Sequence, residues 1–294
     1  MSIRHPIIAV TGASGAGTST ARRVFERIFD RLGVSAAMVE GDSFHAYDRE
    51  QMAAAIERAK IRGENFSHFG PAANHLDKLE ALFSQYGETG TGQVRRYLHT
   101  QSEAIAAGQQ VGTFTPWAPL ATNSELLFYE GLHGGVVTSE INVAQHVDLL
   151  IGVTPIVNLE WIQKINRDID ERGHTPKDVT RTILRRMPDY VKYITPQFSR
   201  TDINFQRVPL VDTSNPFVVR EIPKPEDSLI VVHFSENSRV GFDVDAACDH
   251  IPGVSMTRPD TVIVPGQHWA RAMDLLLAPA VDELMQRRQA LLEG

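Results

Sequence analysis

The stretch VTGASGAGTST, residues 10–20, continues the apolar run PIIAV and leads into a helical pattern of apolar residues. A strand, a glycine-rich turn and a helix in succession form the context of a phosphate-binding loop. In the usual G-x-x-x-x-G-K-[ST] pattern a lysine follows the last glycine, whereas here that position is Thr18. The stretch predicts a nucleoside triphosphate site, and it leaves open where the missing positive charge comes from.

The predicted phosphate loop spans 12–20, where glycines let backbone N–H groups turn toward an anion at the start of a helix. Ser19 falls where a hydroxyl ligates Mg²⁺ beside the phosphates. Thr18, Ser19 and Thr20 are expected to cap the helix, which Gly33 ends. A glycine-rich turn without a ligand is the alternative. The predicted nucleotide-binding residues are Gly12, Ala13, Ser14, Gly15, Ala16, Gly17, Thr18, Ser19 and Thr20.

The composition is that of an ordinary globular protein, with 42% hydrophobic and 22% charged residues over 294 positions. A formal net charge of −7 argues against general affinity for nucleic acid or an anionic membrane. Cys248 is the single cysteine, so no intramolecular disulfide is possible. The N-terminal apolar stretch is too short for a signal peptide, and no 18-residue apolar run occurs, so a cytoplasmic location is expected.

Further apolar runs predict strands that alternate with helical segments. Such alternation indicates an α/β fold of the P-loop kinase type, with a mostly parallel (mixed) sheet flanked by helices. We see no repeat or linker, so residues 1–294 are predicted to form a single domain. The runs are AAMVEGD, LLFYEG at 126–131, DLLIGVTP at 148–155, VPLVDTS at 208–214, SLIVVHF and TVIVPG.

Three other segments have distinct patterns. The segment 157–193 predicts two helices broken between Gly173 and Pro176. Between 87 and 124 the composition shifts to Gly, Thr and Pro, which favours short hairpin strands over helices. A final helix is predicted through HWARAMDLLLAPAVDELMQRRQALL, with a bend at Pro279.

The stretch WIQKINRDIDERG, residues 161–173, is the candidate source of the missing cation. On a helix, Lys164, Arg167 and Asp168 share one face, and Arg172 extends it. The alternative is a solvent-exposed face in which Glu160–Lys164 and Asp168–Arg172 form surface ion pairs, each worth a few tenths of a kcal/mol. Spacing alone favours that alternative.

The stretch EGDSFHAYDR, residues 40–49, follows the second predicted strand. Asp42 would stand at the carboxyl edge of the sheet, where it can accept a proton from an attacking hydroxyl. His45 and Arg49 can hold an anionic substrate by charge-assisted hydrogen bonds. The alternatives are a helix N-cap for Asp42 and a partly buried surface histidine for His45.

An acidic residue, Glu130, closes the run LLFYEG, as in P-loop enzymes whose strand end positions Mg²⁺. Tyr97 and His99 can reach a sugar phosphate, but they can equally be ordinary hairpin residues. We expect the remaining lone histidines to be structural, namely His68, His75 and His233.

Together these residues resemble phosphoribulokinase of the shorter, bacterial type over essentially the whole chain. That type itself has threonine where the Walker lysine is expected. The resemblance implies that a helical lid, about 157–193, closes over the nucleotide and supplies the cation. The motifs that carry it are GASGAGTST, EGDSFH, FSHFGPAANHL, LLFYEGLHG, NLEWIQKINRD and TDINFQRVPLVDTSNPF.

The resemblance implies ATP-dependent phosphorylation of the C1 hydroxyl of D-ribulose 5-phosphate, giving ribulose 1,5-bisphosphate and ADP in the Calvin cycle. Asp42, Lys164 and Asp168 are then the catalytic residues, with Asp42 as base and Lys164 on the γ-phosphate. Asp42 and Asp168 can also divide the base and metal roles the other way. The implied metal ligands are Ser19, Glu130 and Asp168, and the implied substrate contacts are His45, Arg49, Tyr97, His99, Arg167 and Arg172.

The resemblance also implies a homo-oligomer, often an octamer, that is activated by NADH and inhibited by AMP. Thiol regulation, which plant-like members use, is not expected from one cysteine. Two rival functions remain. One is another small-molecule kinase, such as a uridine or pantothenate kinase. The other is a nucleotide-dependent binding module without transfer activity, which Thr18 in the lysine position favours.

Overall fold

The computed structural model describes residues 4–13, 16–121, 123–170, 173, 175–219, 221–238 and 240–294. Within these residues the α-helices are α1 (Thr18–Leu32), α2 (Arg49–Ile61), α3 (Leu76–Thr89), α4 (Gln101–Ala107), α5 (Val157–Asp170), α6 (Pro176–Asp189), α7 (Val244–His250) and α8 (Trp269–Glu293). The strands are β1 (Ile7–Thr11), β2 (Ala36–Glu40), β3 (Gln93–Val94), β4 (Ala118–Pro119), β5 (Leu126–Gly131), β6 (Leu149–Pro155), β7 (Ile203–Pro209), β8 (Ser228–Phe234), β9 (Ser255–Arg258) and β10 (Thr261–Pro265).

In the described part of the chain, eight strands form one mixed sheet in the order β2-β5-β1-β6-β7-β8-β10-β9. The five strands from β2 to β7 in this order pair in parallel. Strands β8, β10 and β9 are added antiparallel at one side. The prediction of a mostly parallel, mixed sheet is therefore confirmed.

Both faces of the sheet are covered, because alternate residues of its central strand point to opposite sides. Ile8 and Val10 pack with residues of α1 and α8 in one core cluster. Ile7 and Ala9 pack with residues of α3 in the other. All four side chains are fully buried, and burying each of the larger ones contributes roughly 1.5–3 kcal/mol.

The turn after β1 needs glycine at two positions. A Cβ on Gly12 would overlap the carbonyl oxygen of Val153, and one on Gly17 would overlap the ring of Trp269. Gly17 also has a φ of 107°, which is costly for other residues. The motif glycines therefore let the loop lie against β6 and the start of α8. Ser14 and Gly15 of the predicted loop lie outside the described residues.

The prediction that Thr18, Ser19 and Thr20 cap α1 is wrong. Gly17 is the N-cap residue and supplies no side-chain cap, and the three hydroxyl residues already lie in the first helical turn. The first turn also carries no acidic residue, so its partial positive charge is not compensated there by a carboxylate. Gly33 ends the helix in the left-handed conformation, as predicted.

Two further predictions need correction. The strand expected at 208–214 lies upstream, at Ile203–Pro209, because the buried alternation starts there, whereas Leu210 and Val211 are exposed. The segment 87–124 does contain a short antiparallel pair, β3 with β4. However, 101–107 is a helix that begins at a capping box of Thr100 and Glu103, a signal the compositional argument overlooked.

The two helices predicted within 157–193 are confirmed as α5 and α6. The hydroxyl oxygen of Thr175 accepts a hydrogen bond at the start of α6, and a π-helical turn, Tyr190–Ile194, follows that helix. The predicted final helix is present as α8, with Pro279 inside it. Among the described residues, no helix combines the length and the apolar character needed to cross a membrane.

Candidate active site

The carboxyl ends of β1, β2, β5 and β6 meet at one edge of the sheet, because these strands are parallel neighbours. The phosphate loop follows β1, Asp42 follows β2, Glu130 is the penultimate residue of β5, and α5 follows β6. Four segments distant in sequence therefore deliver their polar residues to the same edge.

Asp42 lies in a 3₁₀ turn, Gly41–Phe44, directly after β2. Its Oδ1 is 3.1 Å from Nε2 of His45, and its Oδ2 is 3.6 Å from Nε2 of His99. Burial opposes ionisation of Asp42, but the hydrogen bond from His45 and the fields of nearby histidines lower its pKa to about 2. With this pKa the carboxylate is ionised at neutral pH. Because 43% of the side chain is exposed, it is also accessible as a proton acceptor.

The aromatic residues predicted to bind substrate gather around this carboxylate. The ring of Tyr97 lies edge-on to His45 at 6.5 Å and to His99 at 4.8 Å between centroids. The suggested capping role of Asp42 does not apply, since Asp48 caps α2. Arg49 is the first residue of α2, and its exposed side chain packs against Gly112 rather than into this cluster.

The loop 66–70, FSHFG, adds a third histidine to this cluster, His68, for which the sequence alone predicts a structural role. The ring of His68 lies 4.3 Å from that of His45. Burial, with the charges of His45 and Arg186, lowers the pKa of His68 to about 3. Nε2 of the buried His133 lies 3.1 Å from the carbonyl oxygen of Phe69. No residue spacing in the sequence indicates these neighbours.

The same loop 66–70 is bonded to the predicted lid. Ser67 donates a hydrogen bond of 2.7 Å from Oγ to Oδ2 of Asp189, at the end of α6. Arg185 of α6 donates to the carbonyl oxygen of Phe66. Phe69 packs edge-on against Tyr190, with ring centroids 5.6 Å apart. The histidine cluster and α6 are therefore parts of one connected structure.

Lys164 and Asp168 form an ion pair on α5, and Nε of Arg167 lies 3.4 Å from the other carboxylate oxygen. The prediction that the three share a face is confirmed. The surface alternative is wrong, because Asp168 is only 4% exposed and the Lys164 side chain only 15%. Burial and the charge of Arg186 lower the pKa of Lys164, against the effect of Asp168. Arg172 lies outside the described residues.

Arg186 of α6 is a cation that the sequence argument missed. Its charge lowers the pKa of both Lys164 and His68, so it lies near both α5 and the histidine cluster. Its guanidinium carbon is 5.8 Å from the ring centroid of Phe69. Two cations that disfavour each other's charge in a partly buried site are stabilised by an anion placed between them.

Glu130 is a half-buried carboxylate beside the phosphate loop. Its pKa is raised by burial and by the negative charges of Glu40 and Asp42, while Thr18 donates a hydrogen bond to it and Arg22 opposes the shift. Thr18, in the lysine position, thus bonds to the acidic strand end. A divalent cation would relieve the repulsion among these carboxylates, so they fit a Mg²⁺ site.

The predicted metal ligands are only partly brought together. Glu130 and Ser19 both lie at the loop, whereas Asp168 contacts Lys164 and Arg167 of its own helix. In the described residues, no cluster of three or more His, Cys, Asp or Glu side chains could hold a metal. Mg²⁺ commonly uses one or two carboxylates together with phosphate oxygens and water, so this observation agrees with binding alongside a nucleotide.

The sequence and the fold of this chain are similar to those of known proteins. The sequence profile of the Phosphoribulokinase / Uridine kinase family matches residues 7–214. A plasmid-encoded phosphoribulokinase of Cupriavidus necator is 55% identical over 98% of this chain and 99% of that protein. A probable phosphoribulokinase of Escherichia coli is 52% identical, with the same coverage.

The chain belongs to the phosphoribulokinase / uridine kinase family.

A solved structure supports the same membership. A phosphoribulokinase from Rhodobacter spheroides superposes with a TM-score of 0.89 and is 48% identical, covering 98% of this chain and all of that one. The fold predicted from the glycine-rich loop is therefore the fold of this family.

Glu160 couples α5 to the phosphate loop through Tyr190. The Tyr190 hydroxyl donates a hydrogen bond of 3.0 Å to Oε2 of Glu160, and the ring packs in a small cluster with Ala13 of the loop. Burial raises the pKa of Glu160 to about 7, although the bond from Tyr190 and the charge of Lys164 oppose the shift. The carboxyl group is thus kept partly protonated near neutral pH.

Glu160→Gln is expected to alter the pH dependence of stability. The folded-state pKa lies above the unfolded value of 4.5, so wild-type stability falls as pH rises from 4.5 to about 7. Glutamine still accepts the Tyr190 bond but cannot ionise. The free energy of unfolding of the variant minus that of wild type should therefore rise by about 2 kcal/mol from about pH 5 to about pH 8.

Urea denaturation of both proteins at the two pH values measures this gain, and the buried histidines cancel in the comparison. Glu57→Gln, which changes an exposed carboxylate of α2, is the matched control and should show no such gain. A stability difference between Glu160→Gln and wild type that does not vary with pH would contradict a raised pKa of Glu160 in the folded protein.

Proposed function

We infer that this chain is a phosphoribulokinase. It transfers the γ-phosphoryl group of ATP to the C1 hydroxyl of D-ribulose 5-phosphate and forms ribulose 1,5-bisphosphate and ADP, the Calvin cycle step that regenerates the CO₂ acceptor. The observation that carries this inference is 50–55% identity, over nearly the full chain, to relatives named phosphoribulokinase. The site geometry supplies an independent reason to expect phosphoryl transfer.

ATP and Mg²⁺ are the nucleotide and cofactor of a kinase in this family. We propose that residues 12–20 bind the phosphates and that Ser19, Glu130 and Asp168 hold the metal directly or through water. When bound, Mg²⁺ bridges phosphate oxygens and neutralises part of their charge. The uncapped start of α1 and the repulsion among carboxylates near Glu130 support this arrangement.

We propose Asp42 as the base that accepts the C1 hydroxyl proton. It is ionised, partly exposed and placed at the sheet edge where the phosphate loop ends. Oδ1 is engaged by His45 at 3.1 Å, whereas Nε2 of His99 lies 3.6 Å from Oδ2, so Oδ2 is the less tightly held oxygen and the better proton acceptor. The reverse division of roles, with Asp168 as base, is disfavoured since Asp168 is buried between Lys164 and Arg167.

We propose that Lys164 replaces the missing loop lysine. Residues 157–193 would act as the lid, and closure would direct the ammonium group from Asp168 toward the γ-phosphate. The lowered pKa of Lys164 and the neighbouring charge of Arg186 support this role, because both favour an anion at this position. Tyr190, which follows α6, packs in one small cluster with Ala13 of the loop, and this proximity supports closure of the lid over the loop.

The remaining roles are also proposals. The chain is expected to act as one domain in a cytoplasmic homo-oligomer, typically an octamer, with NADH as activator and AMP as inhibitor. No binding to nucleic acid or membrane is expected. The proposed contacts to the sugar phosphate are His45, Arg49, Tyr97, His99, Arg167 and Arg172.

The acceptor substrate is tested by a coupled assay of ADP release with ribulose 5-phosphate, uridine and pantothenate offered separately. Turnover with ribulose 5-phosphate and not with the other two is expected, since the site gathers histidines suited to a phosphate ester around Asp42. Turnover only with uridine would assign the chain to the other branch of the family. ATP binding without turnover of any acceptor would favour the binding-module alternative.

Asp42→Asn is expected to reduce kcat by about 10²–10⁴-fold, because the amide cannot accept the hydroxyl proton. ATP affinity should stay nearly unchanged, since Asp42 lies after β2 rather than in the phosphate loop. Steady-state kinetics and calorimetric titration with an ATP analogue measure the two effects. Asp77→Asn, in the exposed first turn of α3, is the control. Full activity of Asp42→Asn would show that another group is the base.

Lys164→Met should reduce kcat by roughly 10²–10³-fold, because it removes a cation that acts in the transition state. Adding Thr18→Lys should not fully restore the rate, since the lid also excludes water. Lys177→Met changes an exposed lysine at the start of α6 and is the matched control. A Lys164→Met rate within about threefold of wild type would contradict the role.

A further inference from the structure

Asn74 makes three hydrogen bonds that leave its amide no freedom of orientation. Its Nδ2 donates to the carbonyl oxygens of His68 and Gly70, each at 2.8 Å. Its Oδ1 lies 2.8 Å from Nδ1 of His45. Rotating the amide by half a turn would place its oxygen against two carbonyl oxygens, so Oδ1 must be the atom that faces His45.

An antiparallel backbone bridge fixes this side-chain pair. His45 and Asn74 stand opposite each other, flanked by hydrogen bonds from Ala46 N to Ala73 O and from His75 N to Phe44 O. Side chains opposite each other in such a pair lie close together. Both residues are buried, with 7% and 9% exposure, so water does not compete for the contact.

We infer that Asn74 is a positioning residue that keeps the proton of His45 on Nδ1 and directs Nε2 at Asp42. An amide oxygen only accepts, so Nδ1 must donate to it. Nε2 then faces Oδ1 of Asp42 at 3.1 Å, and two acceptors at that distance repel unless a proton lies between them. The structure therefore assigns one proton to the space between Nε2 of His45 and Oδ1 of Asp42, which leaves Oδ2 free of that proton.

The consequence for catalysis rests on the proposed function. With Oδ1 engaged by His45, the substrate hydroxyl proton can pass only to Oδ2, so Asn74 acts on transfer through His45 and not by touching substrate. The titratable and charged groups that surround the pair include His68, Tyr97, Arg95, His99, Tyr129, Glu130, His133 and Arg186.

The tautomer is tested directly by ¹⁵N NMR of histidine-labelled protein without substrate. The His45 signals are assigned by their loss in His45→Gln and followed from about pH 5 to about pH 8, the range in which imidazoles change charge. Nδ1 should remain protonated throughout in wild type. An unprotonated Nδ1 overturns the inference, whatever substrate the enzyme uses, and this reading requires no variant of Asn74.

Variants then connect the tautomer to turnover. Asn74→Leu removes the acceptor for Nδ1, so Nδ1 should no longer stay protonated, and kcat should fall at least about tenfold, but by less than the loss of the base itself. Asn74→Asp keeps an acceptor for Nδ1 and should retain the tautomer, although its second oxygen replaces the donor to the carbonyl oxygens of His68 and Gly70 and should weaken the loop 66–70.

Ser67→Ala is the control for loosening of the loop 66–70, because it removes the bond to Asp189 and spares Asn74. It should leave the His45 signals unchanged. If Ser67→Ala shifts them as much as Asn74→Leu does, or if Asn74→Leu keeps Nδ1 protonated with an unchanged pH profile of kcat, the role of Asn74 is only structural and the inference fails.

Discussion

A buried ion pair on one helix, Lys164 with Asp168, is the interaction on which the proposed chemistry of this site depends. A phosphate loop with Thr18 in the lysine position lacks the charge that phosphoryl transfer requires at the γ-phosphate. A buried ammonium group needs a carboxylate partner before the nucleotide arrives, and Asp168 provides it. We propose that this pair holds a cation with little net effect on stability and that Lys164 exchanges Asp168 for phosphate when the nucleotide binds.

The loop 66–70 makes the two halves of the site interdependent. On one side it contributes His68 to the cluster around Asp42, and on the other it bonds to α6 through Ser67 and Phe69. Arg186 lies near both sides and affects the protonation of both Lys164 and His68. The charges around Asp42 and the charges on α5 and α6 are therefore coupled electrostatically, even though they belong to segments distant in sequence.

Much of this structure could be predicted because the deciding features are local. A β-branched run before glycines specifies β1 and its turn, and Gly33 ends α1 as its left-handed conformation requires. The helices of 157–193 follow from their apolar spacing. The helix at 101–107 escaped because composition was weighed above the capping box of Thr100 and Glu103. The strand near 208 was misplaced because Leu210 and Val211 are apolar but exposed.

The site was harder to predict, because tertiary contacts create it. Asp42, His45, Tyr97 and His99 were named from motifs and do converge. His68, Asn74 and Arg186 have no spacing that points to them. Their importance comes from backbone pairing and burial, which no short stretch of sequence encodes.

The most direct measurement is a crystal structure with a non-hydrolysable ATP analogue, Mg²⁺ and ribulose 5-phosphate bound together. If Lys164 replaces the missing loop lysine, its Nζ should lie about 2.7–2.9 Å from a γ-phosphate oxygen, the length of a charge-assisted hydrogen bond. An ammonium group that still contacts only Asp168, or that points into bulk solvent in this closed complex, would contradict it.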